Sequence, residues 1–133
     1  MTDNKVSIRP LIKNIGSIEN KSEEEKFQNV TLRPIIKLQH DLLLAFFQNY
    51  LLRKKIVFLD QSTLKKSELL DKIFKNDSLF KAELRGLIIG HFTPDEYEIY
   101  LSISVETNKR ILAISKERLH SVYCREEGIS VGK

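Results

Sequence analysis

Thr93-Pro94-Asp95-Glu96 opens a run in which neither Gly nor Pro recurs before Gly128. A threonine hydroxyl at the N-cap accepts from the third helical amide, and the glutamate at that third position reaches back to the threonine amide. Pro94 takes the first helical position, where its missing donor costs nothing, and Asp95, Glu96 and Glu98 set negative charge against the positive end of the helix dipole. A helix therefore starts here, and the spacing carries it to about residue 123, about 45 Å at about 1.5 Å per residue. Its apolar stripe reads Tyr97, Leu101, Ser104, Val105, Asn108, Ile111, Leu112, Ser115, Leu119 and Val122. The small polar members let a neighbouring helix approach and need hydrogen-bond partners if buried.

Toward the N-terminus the same period continues. Apolar residues at 35, 38, 42 and 46 and at 36, 43, 47 and 50 form two adjacent stripes, predicting a helix over 32–56 with Thr31 or Asn29 as its cap and Pro34 in its first turn. A shorter helix over 62–75 carries Leu64, Leu69, Leu70, Ile73 and Phe74, and Asp77 caps a third over 78–91. The fold class is all-α: a small bundle of about four helices with a long C-terminal helix and an extended N-terminal arm. Residues 1–29 form the arm, 30–124 the helical domain and 125–133 a flexible tail.

That arm repeats a phrase of the first helix. Ser7-Ile8-Arg9-Pro10-Leu11-Ile12-Lys13 matches Thr31-Leu32-Arg33-Pro34-Ile35-Ile36-Lys37 position by position, in a chain with only 3 prolines. One copy can imitate the contacts of the other, so Ile8, Arg9, Pro10, Leu11 and Ile12 are candidate partner-binding residues. The arm is also denser in aliphatic residues than a solvated tail of its length would be.

Composition narrows the classes. At 133 residues and 15.5 kDa the chain makes one domain. No stretch nears the roughly 18 apolar residues of a membrane span, and the first residues lack a secretory apolar run, so a cytoplasmic protein with no membrane contact is expected. A single cysteine, Cys124, permits no intramolecular disulfide. The net charge of +4 arises in the first half of the helical domain, where residues 31–76 hold nine Lys or Arg against four Asp or Glu. Arg53-Lys54-Lys55 and Lys65-Lys66 flank one predicted loop. They are the residues a nucleic acid or a ribosome would meet, although no aromatic residues alternate with them as in single-strand binders.

No catalytic centre assembles. His40, His91 and His120 are far apart and form no ligand-spaced pair; His120 and Cys124 at i,i+4 supply only half a zinc site. No metal, cofactor or catalytic residue is assigned. Gly86 and Gly90 lie one turn apart and predict close helix packing, or else a groove for a small molecule; no strand precedes them, as a phosphate-binding loop would require.

Leu32-Arg33-Pro34-Ile35-Ile36-Lys37-Leu38-Gln39, Gly86-Leu87-Ile88-Ile89-Gly90-His91-Phe92-Thr93 with Glu96-Tyr97, and Asn108-Lys109-Arg110 resemble a group of short bacterial helical proteins without an assigned function, some of them labelled glyoxalase. The resemblance spans about residues 31–119 and implies a helical fold. It implies no mechanism, since a glyoxalase fold is built from βαβββ units with metal ligands on strands. Three functions are thus weighed. The first is a non-enzymatic protein-protein interaction module, a homo-oligomer or a subunit of a complex, that docks through its arm; the others are a nucleic-acid-associated protein and a small-molecule binder.

Overall fold

A computed structural model describes Ile8, Arg9 and residues 22–125. Among these residues the protein is all-α, with no strand. Pro10, Leu11, Ile12 and the tail from residue 126 lie outside the described residues.

Helix α1 (Glu23–Phe27) begins earlier than the sequence predicts, inside the stretch expected to be an extended arm. Its start is a second capping box: the Ser22 hydroxyl accepts from the Glu25 amide, and the Glu25 carboxylate accepts from the Ser22 amide. The chain then runs through a π turn, Gln28–Leu32, into α2 (Arg33–Leu38). Pro34 explains the widened turn. A proline ring clashes with the carbonyl four residues back, and the π turn lets the Arg33 amide bond five residues back to Gln28, opening the spiral ahead of it. Thr31 and Asn29 are therefore interior residues and not caps.

Gln39 breaks the spiral, and α3 follows over His40–Lys54. It ends at Lys55, whose left-handed backbone (φ 55°) turns its amide back onto Leu51 and Leu52. Ser62 caps α4 (Thr63–Asn76) and Asp77 caps α5 (Ser78–Ile89), within two residues of the predicted bounds. Thr93 starts α6 (Pro94–Ser102) as the sequence requires. The long helix beyond it is divided: Ile103 leaves helical geometry at φ −130°, and α7 occupies Ser104–Tyr123. This break shifts the angular phase, so the stripe extrapolated through it fails in α6 and in the first turn of α7. Tyr97, Leu101 and Val105 are exposed, whereas Tyr100 is buried and donates to Asn108 at 2.8 Å. Further along α7 the reading holds at Ile111, Ser115 and Leu119 and fails at Val122, which is exposed.

Helix α7 is the spine. It packs against α1, the π turn, α2, α4, α5 and α6, and it feeds two apolar clusters. One joins Phe47, Phe58, Leu70, Phe74, Phe80 and Leu84 to Leu119. The other joins Phe27, Leu32, Ile35, Ile36, Phe92 and Tyr100 to Ile111 and Ile114. Phe27 meets Phe92 edge to face at 5.3 Å, so residues before 29 belong to this core.

Ser115 lies fully buried in α7, and its hydroxyl has no partner among the described residues. An unsatisfied buried polar group costs about 1–3 kcal/mol. Ser115→Ala is expected to raise the unfolding free energy by about 1 kcal/mol in a urea titration, with helix content unchanged.

Candidate interaction site

The start of α6 gathers several polar contacts on one side chain, Glu96. Glu96 is fixed by its capping box: its carboxylate accepts from the Thr93 amide at 2.9 Å while the Thr93 hydroxyl accepts from the Glu96 amide at 3.1 Å. The first bond fixes where the carboxylate sits. Arg9 meets it there. Its two terminal nitrogens donate to Glu96 Oε2 at 2.6 Å and Oε1 at 2.9 Å, and one also donates to the His91 carbonyl at 2.6 Å. The side chains retain 6% and 17% of their exposure, so this is a forked ion pair largely removed from water. Thr31 adds a longer contact, its hydroxyl 3.5 Å from Glu96 Oε2. Burial opposes ionisation of Glu96, but hydrogen bonds from Arg9 and the Thr93 amide, the Arg9 charge and the Thr31 contact outweigh it and hold the carboxyl below its usual range.

Two helix-end groups thus become a receptor for one guanidinium. The His91 carbonyl at the end of α5 and the Glu96 carboxylate at the start of α6 converge because Phe92 and Thr93 are buried between them. Ile8 beside Arg9 stays exposed.

At the two positions described in both copies of the repeated phrase the environments differ: Ile8 is exposed where Leu32 is buried, and Arg9 meets Glu96. Arg33, the counterpart of Arg9, lies at a hollow lined by Ile114, Glu117, Arg118 and Ser121. The residues after it, Pro34, Ile35 and Ile36, are core, which a docking segment could not displace without unfolding the domain. Glu96 itself was legible only as a cap; no sequence signal announced it as the acceptor for residue 9.

Elsewhere the candidates separate. Arg53, Lys54, Lys55, Lys65 and Lys66 flank one turn as expected, but Arg53 is paired with Glu83 at 3.6 Å and lies over the Tyr50 ring. Gly86 does not serve close helix packing: a Cβ added there meets nothing within 4 Å among the described residues, and one at Gly90 meets its own helix at the Gly86 carbonyl, 3.2 Å away. No group of three His, Cys, Asp or Glu among the described residues could hold a metal ion. His120 approaches Ser67 at 3.3 Å, and burial pushes the Cys124 thiol up, away from the reactive thiolate. No described helix is long and apolar enough to cross a membrane. No family model, curated protein or solved structure matches the chain.

Proposed function

We propose that this protein is a non-enzymatic protein-protein interaction module, cytoplasmic and self-associating or part of a larger complex, in which a helical bundle receives an N-terminal arm. The observation that carries the reading is the forked, water-poor pairing of Arg9 with Glu96 across 87 residues of sequence. A buried pair of this kind is geometrically selective even where its net stabilisation is small. The receptor is built from two helix ends, with Glu96 held by its own capping box as well as by Arg9, and the same contact can be made within one chain or between two. Exchange of an identical element between copies is a low-cost route to a dimer.

Arg9→Glu tests this without truncation, which matters because a chain starting at residue 29 would lose Phe27 from the core. In light scattering the native chain is expected to weigh more than one 15.5 kDa copy, and Arg9→Glu to return to a single, folded copy. A single-copy mass for both proteins would remove self-association from the reading.

A further inference from the structure

Four large apolar side chains at the turn between α3 and α4 remain more than half exposed: Leu52, Val57, Leu59 and Leu64. Burying such groups is favourable, and a cluster of them marks a contact surface as scattered ones do not. Three of the four edge one hollow. Leu52, Val57 and Leu59 surround about 380 Å³ over a floor of Leu51, Ile56 and Phe58, with Asp60 at the side. Ile56 also lines a second hollow of about 520 Å³, shared with Lys54, Lys72 and Asn76.

An apolar hollow therefore adjoins a cationic one. The carboxylate of the second hollow, Asp77, is committed: it accepts from the Tyr50 hydroxyl at 2.6 Å and from the Phe80 amide at 2.9 Å as the cap of α5. Lys54 lies near enough to help hold that carboxyl ionised, and neither Lys54 nor Lys72 has an ion-pair partner among the described residues. Lys55, Lys65 and Lys66 flank the same turn and add to the positive field.

We propose that the two hollows dock an acidic amphipathic segment of a partner protein, its apolar side chains filling the space between Leu52 and Leu59 and its carboxylates meeting Lys54 and Lys72. This extends the interaction reading to residues that the Arg9 pairing does not use. Charge decides the occupant. A second copy presenting the same face would set lysines against lysines, a repulsion that costs specificity and affinity. A nucleic-acid backbone would satisfy the lysines and leave the four apolar side chains in water. A segment with carboxylates beside an apolar stripe answers both, in the manner of a helix laid in a groove.

The test is fluorescence anisotropy of the full chain with a labelled amphipathic peptide bearing leucines on one face and glutamates beside them. Controls are the same peptide with lysines for glutamates, the same with serines for leucines, and vesicles of phosphatidylglycerol and phosphatidylcholine. The acidic peptide is expected to bind and both control peptides to fail. Leu52→Asp with Leu59→Asp is expected to weaken binding by about tenfold or more, the scale of losing a central interface contact. Lys54→Glu with Lys72→Glu is expected to transfer preference to the lysine peptide. All four positions are exposed, so circular dichroism is expected to be unchanged. Arg9→Glu is expected to leave peptide binding intact, which separates this surface from the arm site. Equal binding of the acidic and lysine peptides, or indifference to the four substitutions, would overturn the proposal. So would vesicle binding lost on the same substitutions, which would make the surface a membrane contact, or a solution mass that depends on Leu52 and Leu59, which would make it an interface between copies.

Discussion

Glu96→Ala is expected to lower the unfolding free energy by about 2–3 kcal/mol in urea titration, several times the effect of a typical surface change. Two losses combine. The reciprocal cap at the start of α6 disappears, about 1 kcal/mol for a good N-terminal cap, and Arg9 loses the carboxylate that accepts both of its terminal nitrogens. The second loss stops short of the 3–5 kcal/mol of a fully enclosed pair, because Arg9 can be released to water. Glu96→Gln is expected to cost less, since its amide oxygen still accepts from Thr93 or Arg9. Protonation imitates that change. The folded-state carboxyl lies below its unfolded value, so the stabilisation is complete above the ordinary glutamate range near about 4.3 and is lost as pH falls through the depressed value. Melting temperature measured from pH 6 downward is expected to fall more steeply for the native chain than for Glu96→Gln.

Phe80→Ala carries the largest expected loss, about 3–5 kcal/mol, or about 10–20 °C in melting temperature. Phe80 is buried where α3, α4 and α5 meet. Its ring centre lies 4.7 Å from that of Tyr50, 5.2 Å from Phe74 and 5.3 Å from Phe46. Removing it leaves a cavity bordered by rigid rings that cannot collapse without leaving their own rotamers. The change also removes the ring against which Tyr50 packs, the residue whose hydroxyl donates to Asp77. The adjacent Leu79 is exposed, so Leu79→Ala is expected to stay within about 0.5 kcal/mol of the native protein in the same titration. The contrast between neighbours one residue apart checks the packing of α5.

The all-α class and most helix ends were legible because they rest on local chemistry. Thr93–Glu96 and Asp77 are caps whose bonds close within three residues, and the observed helices begin where those residues stand. Ser22–Glu25 carries the same hydroxyl-to-glutamate spacing as Thr93–Glu96 and marked the true start of α1, but the stretch around it read as an extended arm. The break at Ile103 was not legible, because no Gly or Pro marks it; the Tyr100–Asn108 hydrogen bond that spans the bend joins residues with no local signature. The Arg9 site depends on contacts 82 and 87 residues apart, which no period or motif encodes. The glycine pair misled for the opposite reason: its spacing matched close packing, but no described element comes near Gly86.

The central claim, that Arg9 docking on Glu96 joins copies of the chain, is tested most directly by mixing two charge-reversed proteins. Arg9→Glu alone and Glu96→Arg alone each set like charges against one another at the docking point. In an exchanged dimer of the two, each arm meets the opposite charge on the other copy. Light scattering of the mixture, with each component shown to be folded by circular dichroism, is predicted to give twice the 15.5 kDa chain mass while each alone stays at one. A mixture of folded chains that remains at the single-chain mass would contradict the account.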